Sequence, residues 1–321
     1  MSNDVIRLGV LGTASICEKV LPAMQRCNSI QLAAIASRSL SKAQNAAAAY
    51  GIPQAFGSYD ALLNPELLDA LYIPLPNSLH FPWTMKALQA GLHVLCEKPL
   101  ALSAANAKTM FETSGAAGKH LQEAFMYRHH PQYEVVQKAV RDGAIGELRW
   151  LNASFCFMLD DEESIVANPE LGGGALWDVG CYPVNLASWL AASIPVSISA
   201  AANIRSVDRT LAGTIAFQNG FVASISCSIN SAEHHYAEIH GTTGSILLAN
   251  PWVAGLGANS PVTIRRHGQP DTLLQVQGHD PYFLQACHFA KACQTPALRN
   301  AQAEESIRTA AILEEMSTYP R

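Results

Sequence analysis

Residues 5–17 read VIRLGVLGTASIC. The apolar run Val5 to Leu11 ends on Gly12, and the small residues Thr13, Ala14 and Ser15 follow. Ile16, Val20 and Met24 then recur at helical spacing. A strand, a turn of small residues and a helix, in that order, open a βαβ unit. In such a turn backbone N–H groups come close to an anion such as a pyrophosphate, because no bulky side chain intervenes and the helix start carries partial positive charge. The match to G-x-G-x-x-G is partial, with Gly12 first, Ala14 second and Cys17 third. An ordinary strand-to-helix turn would look the same, so the surrounding sequence decides.

The pattern repeats outward from this stretch. Residues 30–37 predict a second strand, and 39–51 a second helix closed by Gly51. A strand over 68–76, a helix over 80–91 and a strand over 93–99 follow, then a helix from 103 to 119 with Ser103 as its N-cap. Strands separated by helices of about a dozen residues imply a parallel sheet with helical crossovers.

After a helix ending near Gly143 the alternation stops. Residues 148–158, 196–205, 211–217 and 221–229 read as strands, and Asn219-Gly220 marks a tight hairpin. Residues 237–250 continue that pattern, and 301–317 form a last helix. The expected fold is α/β, with an N-terminal parallel-sheet domain at 1–122 and a C-terminal α/β domain at 123–321 built on a large, mostly antiparallel sheet.

Composition limits the partners. The 321 residues are 49% hydrophobic and 15% charged, with a net charge of −5 and no long basic block. Nucleic acid and anionic membrane are therefore not expected. No run of eighteen apolar residues occurs, and the N-terminus lacks the basic and long apolar regions of a leader. The eight cysteines include no C-x-x-C pair and read as reduced, buried thiols of a cytoplasmic protein. The His pairs at 129–130 and 234–235 lack partners at ligand spacing, so no metal is expected.

Several stretches carry chemistry. Ser37 and Arg38 end the second strand with no acid beside them. An acid there would hold a ribose 2′-OH, whereas an arginine suits a 2′-phosphate or stacks on adenine. Arg38 thus favours NADP over NAD, unless it is a solvated loop arginine. Pro74, Leu75, Pro76 and Asn77 lie at a strand's carboxyl end, where ligands of such sheets bind, and Asn77 is a candidate helix cap. His80 is either a ligand of that loop or a satisfied core histidine. Glu97 and Lys98 close the next strand, and Pro99 ends it. A lysine there can stabilise an oxyanion, or it is one half of a weak surface ion pair. In GGGALWDVGCYPVN (172–185) Asp178 and Tyr182 are four apart and share a helical face, with Pro183 a possible kink. Tyr182 is an acid/base if a nearby ammonium favours its phenolate, or a buried tyrosine with one hydrogen bond.

Taken together, GVLGTASI, the Ser37-Arg38 pair, PLPNSLH, CEKPL, EAFMYRHHPQ (123–132), GGGALWDVGCYPVN and HGTTGSI (240–246) resemble the Gfo/Idh/MocA oxidoreductases. Within that family they resemble the branch holding dimeric dihydrodiol dehydrogenase and NADP-linked D-xylose dehydrogenases. The resemblance implies a Rossmann domain, a second α/β domain, and a last helix that returns to the first. It implies Lys98 as catalytic lysine, Tyr182 as acid/base and Asp178 as supporting carboxylate. Cofactor contacts are implied for Gly9, Gly12, Thr13, Ala14, Ser15, Ile16, Ser37, Arg38, Pro74, Leu75, Pro76, Asn77, His80, Glu97, Lys98 and Trp177. The expected partner is a small sugar, polyol or cyclic diol, with a homodimer or homotetramer formed through the open sheet face. One departure concerns Val166, where the branch often carries arginine; it bears on substrate identity. The same family also holds a non-catalytic NADP-binding regulator, which is the alternative function.

Overall fold

The computed structural model describes residues 5–253 and 259–319. Residues 1–4, part of the stretch inspected for a leader, lie outside the described residues. The chain forms two compact units, 1–126 with 282–306, and 127–281 with 307–321.

In the first unit the strands are β1 (Ile6–Leu11), β2 (Ile30–Ala36), β3 (Gln54–Phe56), β4 (Ala70–Ile73), β5 (His93–Cys96) and β6 (Leu121–Glu123). They form one sheet in the order β3-β2-β1-β4-β5-β6, and every pair is parallel. That is the doubly wound Rossmann order, which opens a crevice at the strands' carboxyl ends where the order reverses, between β1 and β4. The crossovers are α1 (Cys17–Gln25), α2 (Leu40–Tyr50), α3 (Asn77–Gln89) and α4 (Ala104–Ala116). Ser39 caps α2 by accepting from the Lys42 amide, and Gly51 closes that helix with φ 63°. Ser103 caps α4 by accepting from Asn106 at 3.2 Å, as its sequence predicts. Asn77 differs from expectation: it is the first residue of α3, and Pro76 holds the cap position. Proline fits there because the first turn of a helix makes no use of that N–H.

The second unit contains α5 (Pro131–Arg141), β7 (Leu148–Met158), α6 (Cys181–Ala191), β8 (Pro195–Ile204), β9 (Asp208–Phe217), β10 (Val222–Ser228), β11 (Asn230–Gly241), β12 (Gly244–Leu248), β13 (Ser260–Arg266) and β14 (Thr272–Val276). Its sheet runs β14-β13-β12-β11-β7-β10-β9-β8. All pairs are antiparallel except β7 with β10. The β9–β10 hairpin turns on Asn219 and Gly220, with Gly220 at φ 84° and Phe217 N–H donating to the Phe221 carbonyl at 2.9 Å.

Two late helices are divided between the units. Helix α7 (Pro281–Gln294) packs within the first. There the Cys287 and Cys27 sulfurs lie 3.2 Å apart, His288 meets Gln122 at 3.1 Å, and Arg26 covers the Phe283 ring. Helix α8 (Ala303–Ser317) places residues 303–306 in the first unit and the remainder in the second. In the second, Asn185 donates to Thr309 and Arg308 donates to Ser188. The chain thus divides at 126 rather than 122, and the segment grouped with the first unit is α7 plus the start of α8.

Candidate active site

The first unit supplies one set of groups at the carboxyl ends of its strands. Gly9 lies inside β1, where a Cβ would come within 2.5 Å of Leu68 and 2.7 Å of Leu71, so strand packing requires its small size. Gly12 begins the turn at φ +123°, and its amide donates to the Ala36 carbonyl at 2.9 Å. The amides of Cys17, Glu18 and Lys19 are taken by the carbonyls of Ala14, Ser15 and Ile16, each at 3.0 Å. The amides of Thr13 to Ile16 have no acceptor among the described residues, and no side chain caps α1. Such amides at a helix start form a cradle for an anion. Cys17, in the place of the third fingerprint glycine, is buried, and burial pushes its thiol up to about 12, so it serves as packing.

At the end of β2, Ser37 is buried, with its amide on the Phe56 carbonyl, and Arg38 is exposed. No carboxylate stands at either position. Acceptor-free amides beside a glycine with positive φ, followed by an arginine where an acid would select a 2′-OH, fit a phosphorylated dinucleotide.

The Glu97–Leu100 segment leaves β5, on the other side of β4 from the β1 turn. Glu97 Oε1 accepts from the hydroxyl of fully buried Tyr72 at 2.8 Å, and Oε2 accepts from the Lys98 amide at 3.3 Å. Burial raises the Glu97 pKa, while Lys98 and Tyr72 pull it back. Burial, with the charge of Glu97 behind it, lifts the Tyr72 phenol well above its usual range, so Tyr72 stays a donor. Lys98 is half-buried, and the Lys98–Pro99 peptide is cis. His80 is 0% exposed; Nδ1 lies 2.7 Å from the Pro99 carbonyl and Nε2 lies 2.8 Å from the Leu75 carbonyl. Burial lowers its pKa against the pull of both carbonyls. The neutral ring donates to one of these oxygens and packs on the other, so His80 sits between the 74–77 loop and the lysine-bearing segment.

In the second unit the 172–185 stretch departs from a plain helix. Leu176–Gly180 is one π turn leading into α6. Asp178 and Trp177 lie on it, half-buried, and Tyr182 follows in the first turn of α6 with 7% exposure. A π turn widens the helix locally, which accommodates the missing N–H of Pro183 without ending it. The glycines explain the close approach that sets this turn. A Cβ on Gly173 would lie 2.4 Å from the Val166 carbonyl, and one on Gly174 would lie 2.0 Å from Asp208 Oδ1. Asp208 Oδ2 accepts the Leu176 amide at 2.7 Å and fixes the start of the turn. The Tyr182 ring packs against Phe155, Tyr127 and Trp252, with centroids 5.1, 5.7 and 6.0 Å away.

Tyr72, Glu123 and Asp208 support these groups and were not singled out from the sequence. Tyr72 sits inside an apolar strand, Glu123 ends a three-residue one, and Asp208 starts a strand thirty residues from the turn it holds. None carries a local signal. The His pairs have structural places: His130 caps α5 through Nδ1, and His235 packs on Phe155. Among the described residues no three His, Cys, Asp or Glu side chains gather as metal ligands, and no helix is long and apolar enough to cross a membrane.

A Rossmann sheet with an open amide cradle at its first turn defines a dinucleotide-binding oxidoreductase architecture. Comparison with known proteins narrows this. Residues 6–125 match the oxidoreductase family with an NAD-binding Rossmann fold, and residues 133–247 match the GFO/IDH/MocA C-terminal domain. The chain belongs to the Gfo/Idh/MocA family of oxidoreductases. It is 37% identical to D-xylose 1-dehydrogenase (NADP(+)) 2 of Haloferax volcanii, over 93% of this chain and 92% of that protein. It is 33% identical to trans-1,2-dihydrobenzene-1,2-diol dehydrogenase of Xenopus tropicalis, over 77% of this chain and 71% of that one. The crystal structure of a 3-ketoreductase from Actinomadura kijaniata in complex with NADP and TDP-benzene superposes with a TM-score of 0.92 at 30% identity, covering 99% and 98% of the two chains.

Proposed function

We propose that this oxidoreductase is an NADP-dependent dehydrogenase acting on a hydroxyl-bearing carbon of an aldose or a cyclic vicinal diol. The observation that carries this reading is the pairing of acceptor-free amides at 13–16 with Arg38 in the place of an acid. The NADP complex of the ketoreductase and the NADP-linked xylose dehydrogenase support the cofactor assignment. The amides of 13–16 hold the pyrophosphate, Ser37 and Arg38 the 2′-phosphate, and the 74–77 loop with Glu97 and Trp177 the nicotinamide half. When bound, NADP supplies the hydride acceptor. The chain's own groups handle the proton. Lys98 stabilises the developing oxyanion, Tyr182 takes the hydroxyl proton, and Asp178 orients them. Run backwards, the same groups would reduce a sugar ketone.

The open face of the eight-stranded sheet is assigned to self-association. Small side chains such as Ser199, Ala201, Ala212 and Thr214 lie on it exposed and Ser224 partly exposed, while Ile198, Leu211, Ile215 and Ile225 on the other face are buried. The uncharged side chains that β8, β9 and β10 present on this face suit a second copy of the chain.

The test is absorbance of reduced nicotinamide with NADP or NAD and a panel of aldoses, inositols and trans-dihydrodiols. NADP-linked turnover that disappears in Lys98→Ala upholds the reading. Tight NADP binding with silence across the panel leaves a substrate outside the panel or the regulator of the same fold.

A further inference from the structure

Lys98 is carried by a segment without regular secondary structure, so its position depends on how that segment is tied down. The Cys96 carbonyl accepts from Ala124 at 2.8 Å, and the Glu97 amide donates to Ile73 at 3.1 Å. His80 takes the Pro99 carbonyl. The far end rests on a side chain: the Leu100 amide donates to Glu123 Oε1 at 2.8 Å. Glu123 pairs with Cys96 across β5 and β6 and is 3% exposed.

We propose that Glu123 is a positioning residue for Lys98: as a carboxylate it holds the Leu100 amide and the far end of the Glu97–Leu100 segment, and on protonation it loosens that end. The proposal rests on the role given to Lys98 above. An amide bound to a carboxylate makes a charge-assisted bond, stronger than one to a neutral carboxyl. The groups facing Glu123 are Ser306 and Glu305 from the start of α8, Glu97 and the Leu100 amide from the segment, and the Cys96 thiol on β5. Burial comes first in raising its pKa, to about 7, and Glu305 and Glu97 act in the same direction; Ser306 and the Leu100 amide oppose them. The clamp therefore changes state in the neutral range, closed above it and loose below.

The experiment compares the full-length protein with Glu123→Gln, Glu123→Ala and Lys98→Ala. The first readout needs neither cofactor nor substrate: amide hydrogen exchange across residues 97–102 at about pH 6 and about pH 8, corrected for intrinsic rates. Protection of Leu100 is expected to fall about tenfold at the lower pH in the unaltered protein. Glu123→Gln should abolish that dependence, and Glu123→Ala should leave Leu100 unprotected at both values. The second readout is the pH profile of kcat for NADP-linked turnover. An acid limb near neutrality should flatten in Glu123→Gln while NADP affinity stays within about twofold. Leu100 protection that is flat with pH, or a Glu123→Gln profile identical to the original, overturns the proposal. Full turnover in Lys98→Ala overturns the role of Lys98 instead, and the exchange data still decide whether Glu123 is the clamp.

Discussion

In the six-stranded sheet β4 and β5 are buried at every position, and the candidate site residues lie on the loops at the strand ends. In the eight-stranded sheet burial alternates along β9 and β10, leaving one broad face of small polar and aliphatic side chains. The difference follows from connectivity. Parallel strands need helical crossovers, which cover both faces and leave only the edges for ligands. Antiparallel strands joined by hairpins leave a whole face uncovered, which suits it to contact with another surface. The proposed function therefore assigns one sheet's edge to chemistry and the other sheet's face to self-association.

Substitutions at the two places should separate these roles. The largest effect is expected at the edge. Lys98→Ala should lower kcat by about 10² to 10⁴, with the thermal midpoint barely changed, as read by stopped-flow absorbance and calorimetry. Next is Arg38→Ala, which on the proposed function would remove a charge-assisted contact to the 2′-phosphate; KM for NADP should rise about 10- to 100-fold while that for NAD stays put. On the face, Ser224→Arg should shift the mass measured by light scattering from an oligomer toward a single chain and leave cofactor binding intact. If Ser224→Arg abolished NADP binding while Arg38→Ala did not, the division between edge and face would fail.

The smallest expected effect is a pH dependence of stability in the first unit. His93 and His120 are buried, and burial lowers their pKa values to about 3 and about 4. The His93 Nδ1 accepts the His120 amide at 2.8 Å, which requires that nitrogen to be unprotonated. In the unfolded chain both titrate near 6.5. A depressed folded pKa means that their stabilising share is present above about pH 6.5 and is lost as pH falls toward the folded values. The thermal midpoint should drop on the order of 5 °C from about pH 7 to about pH 5. His93→Gln should blunt that drop, and an unchanged slope in that variant would remove the assignment.

The reading from sequence was strongest where the signal is local. The strands β1, β2, β4 and β5 appear as short apolar runs between helical periods, because a strand buried on both faces has no need of polar residues. Gly12, Gly51 and Ser103 announce their turns and caps by residue type. Two three-residue strands, β3 and β6, were not read, since so few residues show no period. Helix α7 is hard to see in the sequence because PYFLQACHFAKACQ is apolar around much of its circumference, although Asp280 before Pro281 is a helix-start signal. The 172–185 stretch was placed but not shaped, because a π turn depends on Asp208 and on carbonyls from 165–168 that the local sequence does not contain.

By itself the sequence determined the class of fold, the candidate cofactor turn and the lysine-bearing strand end, because short-range sterics and hydrophobic period write these into neighbouring residues. Only the tertiary structure decided what holds the candidate site in place. His80 reaches Pro99 across 19 positions, Glu123 reaches Leu100 across 23, and Asp208 reaches Leu176 across 32. Glu123 and Asp208 are ordinary polar residues in the sequence, His80 is a candidate with two readings, and each acquires its role when burial removes water and leaves a backbone group of a distant loop as its partner.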